Sequence, residues 1–257
     1  MKRFLFIAVV AAVLVPATAL ASGTDPATNA SKDCAALKAK DLTAFNQAYS
    51  SFGACVRSLT PVEQNNAASA QSACSAEQSD ANFASTHGVK TFAQYYGTGK
   101  SGSNAFGRCV SGKAQASSQA EQQGRSNPAQ TCRTQRTQMG PTAFQDLYGK
   151  NANDKNAFGK CVSTAAKAQT TNELSAESSC KTEQDADATA FATKYGTNAD
   201  KSNAFGQCVS TKAKAASSTQ QQATVNGAKA CLAELNSSGA TAFKAKYGTF
   251  GHCVSSK

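Results

Sequence analysis

Ten cysteines and two histidines are the residues of this 257-residue chain with the widest chemical range. Cysteine can serve as a nucleophile, a metal ligand or half of a disulfide, and each role needs a different setting. Metal binding is not expected, because no Cys-x2-Cys pair and no Cys/His cluster has zinc-ligand spacing. Nucleophilic catalysis needs a base beside the thiol, and neither histidine is well placed to supply one. His87 lies in an irregular stretch, and His252 fills a position that elsewhere holds Ala54, Arg108, Lys160 and Gln207. The pair Asp185/Asp187 sits in a charged stretch that reads as a solvated helix face and not as an acid/base pair. The loops 151–156 and 198–203 are rich in Asn and Asp, yet each carries a lysine and lacks the Gly and closing Glu of a calcium loop. Asx-turns explain them. No catalytic residue, cofactor or metal is expected, and the chain reads as non-enzymatic.

The cysteines belong to a repeat. Three stretches nearly coincide: Asn104-Ala-Phe-Gly-Arg-Cys109-Val, Asn156-Ala-Phe-Gly-Lys-Cys161-Val and Asn203-Ala-Phe-Gly-Gln-Cys208-Val. Phe52-Gly-Ala-Cys55-Val and Phe250-Gly-His-Cys253-Val are shorter relatives. Upstream of each lies an aromatic pair four residues apart: Phe45/Tyr49, Phe92/Tyr96, Phe144/Tyr148, Phe191/Tyr195 and Phe243/Tyr247. One further cysteine precedes each pair, at Cys34, Cys74, Cys132, Cys180 and Cys231. The unit Cys…Phe-x3-Tyr…Phe-Gly-x-Cys-Val thus occurs five times. The first and last copies lack the polar middle loop, as capping repeats often do.

These signatures need helices to position them. Phe158, Cys161, Val162, Ala165 and Ala166 form one apolar helical stripe. Asn104, Asn156 and Asn203 stand where an N-cap belongs, able to accept from the first-turn N–H groups. Gly97, Gly149, Gly196 and Gly248 follow the tyrosines, where a left-handed residue often closes a helix. Asn127-Pro128 and Gly140-Pro141 read as helix starts. The expected fold is all-α: five small helical repeats stapled by disulfides, as an array or irregular solenoid. The expected segments are a flexible lead-in at 22–33, repeat one at 34–59, a linker or helix at 60–73 and repeat two at 74–116. A linker at 117–127, repeat three at 128–170, repeat four at 171–216 and repeat five at 217–257 complete the chain.

Two disulfide pairings compete. Bonding within units (Cys34–Cys55, Cys74–Cys109, Cys132–Cys161, Cys180–Cys208, Cys231–Cys253) leaves no orphan and is preferred. Bonding between consecutive units (Cys55–Cys74, Cys109–Cys132, Cys161–Cys180, Cys208–Cys231) has more regular spacings but strands Cys34 and Cys253.

Residues 1–21 read as a cleavable secretory leader: Lys2 and Arg3, an apolar run over 4–15, then Ala19-Leu20-Ala21. The run is too short to span a bilayer, so the expected protein is secreted or envelope-associated, where disulfides persist. Beyond position 21 there are 7 Leu, 8 Val, 11 Phe and no Ile among 236 residues. That is too few for one conventional core, and it suits small units closed by covalent staples.

Charge gives the lead toward a partner. The chain carries a formal +10, and residues 88–160 hold most of the excess, with ten basic and three acidic residues. Arg108, Arg125, Arg133, Arg136, Lys150 and Lys160 are the candidate contacts to a polyanion such as a cell-wall or matrix polymer. No specific nucleic-acid motif accompanies them. The block from Cys180 to Val209, with its Ala-Phe-Gly-x-Cys-Val element, resembles repeats in uncharacterised exported bacterial proteins. The resemblance implies export and repetition and carries no activity. The expected role is a secreted structural or binding scaffold with weak multivalent contact to an anionic polymer. The alternative is a disulfide-rich inhibitor or effector that engages one protein through a middle loop such as Gly97–Asn104.

Overall fold

A computed structural model describes residues 25–99, 101–149 and 155–257. The expected leader, Lys150 and the loop at 151–154 lie outside the described residues. The described residues form thirteen helices and no strand. In chain order these are α1 (Pro26–Lys40), α2 (Leu42–Ala48), α3 (Phe52–Ser79), α4 (Phe83–Thr86), α5 (Phe92–Tyr96), α6 (Ala105–Gly124) and α7 (Pro128–Met139). They continue with α8 (Pro141–Tyr148), α9 (Ala157–Ala186), α10 (Ala188–Tyr195), α11 (Ala204–Ser238), α12 (Ala240–Tyr247) and α13 (Phe250–Ser255). The segment expected to be a flexible lead-in is helical from Pro26, with the Asp25 carboxylate accepting from Ala27 N and Thr28 N.

Five bridges are formed: Cys34–Cys55, Cys74–Cys109, Cys132–Cys161, Cys180–Cys208 and Cys231–Cys253. The competing pairing is incompatible with the helices. Cys55 and Cys74 share α3, Cys161 and Cys180 share α9, and Cys208 and Cys231 share α11. Nineteen residues of helix span roughly 28 Å, far beyond the reach of a disulfide. The long helices therefore end one unit and begin the next.

Each aromatic pair rides on a short helix against its own bridge. The Phe/Tyr ring centroids are 4.9–5.3 Å apart in all five units, within the range that favours tilted aromatic contact. Units one, two and four each have a core cluster of this kind. Units three and five share one: Phe144, Cys161 and Val162 pack with Ala228, Cys231 and Phe243. Within units the bridged helices pack as α1 on α3, α3 on α6 and α9 on α11; between units α6 packs on α11, and α9 packs on α2 and α3. The long helices thus make a bundle whose contacts skip along the chain.

Two capping expectations are corrected. Asn104, Asn156 and Asn203 occupy N-cap positions, but none makes a side-chain cap bond. Asn104 Oδ1 instead accepts from Thr98 N at 2.9 Å while its Nδ2 donates to Thr98 Oγ1 at 2.7 Å, and Asn203 repeats this with Thr197. Pinning the incoming loop competes successfully with capping. Gly97, Gly149 and Gly196 have φ of −76°, −64° and −71°; only Gly248, at +71°, is left-handed. Gly97 is needed for space, since a Cβ there would meet Ala93 O and lie 2.5 Å from Gly102 Cα.

The repeated Phe-Gly-x-Cys glycine has different surroundings in different units. At Gly206 an added Cβ would sit 2.7 Å from the Ser117 carbonyl carbon, across the α6–α11 crossing. At Gly159 nothing lies within 4 Å. Gly159→Ala should therefore stabilise by up to about 1 kcal/mol through helix propensity. Gly206→Ala should cost about 2–3 kcal/mol by wedging two backbones apart. Urea unfolding of both variants checks this, and equal shifts would show that the crossing does not depend on Gly206.

Candidate functional site

Of the candidate polyanion contacts, Arg108, Arg133, Arg136 and Lys160 are exposed. Arg125 is corrected: it is 8% exposed and lies inside the bundle. The helix α6 stops at Gly124, and Asn127-Pro128 opens α7 with the Asn127 side-chain oxygen accepting from Ala129 N and Gln130 N. At this break the Arg125 guanidinium donates from Nε to Glu173 Oε1 and from Nη1 to Asp33 Oδ2, both at 2.8 Å. Other residues singled out in the sequence have structural duties. His87 stacks on Phe83 at 3.8 Å. Asp187 caps α10 through Ala190 N, and Asp185 pairs with Lys181.

Around Arg125 lies a polar network drawn from four helices. Asp33 comes from α1, Glu63 and Asn66 from α3, Glu121 from α6, and Glu173 and Glu177 from α9. All five acids are at most 3% exposed. Asn66 Nδ2 donates to Glu121 Oε2 at 3.0 Å, Asn65 Nδ2 donates to Glu177, and Ser118 Oγ donates to Asp33 Oδ1 at 3.2 Å. Five carboxyls facing one guanidinium cannot all be ionised in a low-dielectric interior. Burial, aided by the neighbouring Asp33, lifts the Glu63 carboxyl to about 7. Burial also lifts Glu177 to about 8 and pushes Glu121 well above the ordinary carboxylate range, with the Glu177 charge adding to the latter. Burial alone would weaken the charge on Arg125, but Glu173 and Asp33 outweigh it and hold the guanidinium protonated. Among the described residues, Glu63 Oε1 and Oε2, Asn66 Oδ1, Glu121 Oε1, Arg125 Nη2, Glu173 Oε2 and Glu177 Oε1 have no hydrogen-bond partner.

A second polar device recurs by unit. The residue three past the upstream cysteine is Glu77, Glu183 or Glu234 in units two, four and five, and it accepts from the unit tyrosine. Those contacts are Tyr96 Oη at 2.8 Å, Tyr195 Oη at 2.8 Å and Tyr247 Oη at 3.0 Å. The residue four past the downstream cysteine is then Lys113, Lys212 or Lys257, and it pairs with the same glutamate. Lysine contacts hold Glu183 and Glu234 down near 2, led by Lys212 and Lys246. Unit three replaces the trio with Gln135, Tyr148 and Ala165, keeping a 2.8 Å Tyr–Gln bond. Unit one replaces it with Leu37, Tyr49 and Leu59, all in its apolar cluster. The trio was visible in the sequence, by aligning the five units on their cysteines.

Among the described residues no group of three or more His, Cys, Asp or Glu side chains is arranged to hold a metal ion. No described helix is long and apolar enough to cross a membrane. The five bridges suit an oxidising compartment. Fold and site together define an all-α, disulfide-stapled protein with a polar interior. No protein-family model matches the chain, and neither a curated protein nor a solved structure does.

Proposed function

We propose that the protein is an exported, non-enzymatic scaffold that holds an anionic envelope or matrix polymer on a basic face of unit three. The supporting observation is the bridge Cys132–Cys161, whose Cα atoms are 5.9 Å apart. Arg133 and Lys160 are the chain neighbours of its two half-cystines, so bond geometry keeps their Cα atoms within roughly 14 Å. Arg136 lies one turn farther along α7 from Arg133, and all three side chains are exposed. Of the six contacts expected from the sequence the face keeps Arg133, Arg136 and Lys160; Arg125 is turned inward onto Asp33 and Glu173, Arg108 belongs to unit two, and Lys150 lies outside the described residues.

A basic face that binds by neutralising polymer charge releases counterions, and its affinity falls steeply with salt. The full chain should be retained on a sulfated polysaccharide resin and elute at a defined salt concentration. The triple substitution Arg133→Ala, Arg136→Ala, Lys160→Ala should elute much earlier, with the slope of log affinity on log salt reduced by roughly one for each cation removed. Elution of the triple variant at the wild-type position would retire this face.

A further inference from the structure

Unit two departs from its relatives in two places. Eighteen positions separate Cys74 from Phe92, against eleven or twelve between the matching residues of the other units. The extra residues form α4 and the turn after it. The residue before the unit tyrosine is also unusual: it is Tyr95, where the other units have Ala48, Leu147, Lys194 and Lys246. The fold brings the two departures together. His87 lies on Phe83 with near-parallel rings 3.8 Å apart, and its Nδ1 is 2.9 Å from Phe83 O. Tyr95 stands edge-on to both rings, 4.7 Å from His87 and 5.8 Å from Phe83, and is still 37% exposed.

His87 and Tyr95 line one wall of a cleft of about 730 Å³, a volume in the usual range of small-molecule sites. The facing wall is unit four, with Thr189 of α10 and Asp200 and Ser202 of the loop after it. Burial, aided by the charges on Asp200 and Glu77, raises the Tyr95 phenol above its ordinary value. The two walls are therefore within electrostatic reach of each other, and the phenol keeps its proton.

The lining constrains the ligand. Its acids Glu77, Asp80 and Asp200 are matched by Lys90, Lys113 and Lys201, so it offers no net charge to a polyanion or a polycation. Lys113 is taken up by Glu77 at 2.8 Å, and Lys201 Nζ donates to Gly196 O at 3.0 Å. Asp80 and Asp200 each commit one oxygen to a backbone N–H, of Asn82 at 2.8 Å and Ser202 at 3.1 Å. Their second oxygens are left to meet a donor. Tyr95, Asp80 and Thr189 are exposed and Asp200 is partly exposed, so a ligand can reach them. A sugar ring has an apolar face of C–H groups and a rim of hydroxyls that donate and accept. Those features match a tyrosine ring, apolar in its body and polar at its tip, set between two carboxylates. We propose that this cleft binds a neutral oligosaccharide, with one sugar ring on Tyr95 and its hydroxyls shared between Asp80 and Asp200.

Calorimetry of the full protein with cellotetraose, maltotetraose and chitotetraose tests this. The expected result is saturable binding of at least one of these neutral tetrasaccharides, at an affinity that does not change with salt. Tyr95→Ala should weaken that binding about tenfold, the size of a lost aromatic contact, with unchanged helicity. Thr189→Arg, which places a long side chain on the facing wall, should weaken it as much. Thr189 is exposed on α10, so this variant keeps the test decisive if Tyr95→Ala does not fold. The triple variant of the basic face, Arg133→Ala, Arg136→Ala, Lys160→Ala, should bind the tetrasaccharide like wild type, which separates the two sites. Salt-sensitive binding would overturn the neutral class. Absence of binding by all three tetrasaccharides, or binding undiminished in a folded Tyr95→Ala or Thr189→Arg variant, would overturn the cleft.

Discussion

Reduction of all five bridges should abolish the far-UV helical signal of this protein in non-denaturing buffer at 25 °C. The five disulfide loops span sequence separations of 21 to 35 residues and do not overlap. In the loop-entropy model each such bridge contributes roughly 3–4 kcal/mol, and loops that share no residues contribute nearly independently. Their sum exceeds the net stability of an ordinary domain, about 5–15 kcal/mol. Packing has little to set against that loss. The interior of the bundle at Arg125 is polar, and many buried apolar positions are alanine, which removes little area from water. The measurement is circular dichroism before and after reduction, with labelling to show ten free thiols. Undiminished helicity in the fully reduced chain would show that packing alone holds the fold. A single-unit version is also informative. Replacing Cys132 and Cys161 together by Ala should lower stability by about 3 kcal/mol and loosen unit five as well, because the two units share a core.

Stability should fall as pH rises from about 5 to 8. Glu63 and Glu177 hold their protons in the folded state to about pH 7 and 8, and burial raises Glu121 in the same direction, whereas the unfolded chain releases them near 4.3. A group whose folded-state pKa is raised contributes stability that is fully present below the unfolded pKa. That contribution is lost as pH climbs through the folded value. For Glu63 and Glu177 the window therefore opens near 4.3 and extends to about 8, and Glu121 acts in the same sense. Each tenfold difference in proton affinity is worth about 1.4 kcal/mol, so the total change is on the order of several kcal/mol. Glu183 and Glu234 act in the opposite sense, supporting the fold above their ordinary range and losing that support as pH falls toward 2. The two trends place maximum stability near pH 5. Urea midpoints at pH 5, 6.5 and 8 give the result directly, and Glu177→Gln should flatten the profile. A midpoint that stays constant or rises from pH 5 to 8 would mean that the network is hydrated and ionised.

The sequence was most legible where it repeats. Helices at Phe-Gly-x-Cys, the aromatic pairs and the helix starts at Pro128 and Pro141 depend on neighbours a few residues away, so local pattern suffices. Even there, the asparagines before Ala105 and Ala204 went to pinning loops, since a loop threonine six residues earlier offered two bonds. The least legible residue was Arg125. It lies outside every repeated signature, in the stretch 117–127 expected as a linker, most of which is the end of α6. Its partners Asp33 and Glu173 are 92 and 48 positions away. No spacing rule joins such residues.

By itself, the sequence determined an all-α chain of five similar units, because helical period and repetition are local properties written into each copy. Tertiary structure alone decided what lies at the centre. The stretches between signatures meet as four helices around one guanidinium, and the scarcity of large apolar residues is met there by a buried ion network. It also decided that Gly206 is a contact and Gly159 is not, since only one of two identical motifs lies where two helices cross. Both outcomes depend on which helices pack together, a choice made by the summed complementarity of distant surfaces and carried by no single segment.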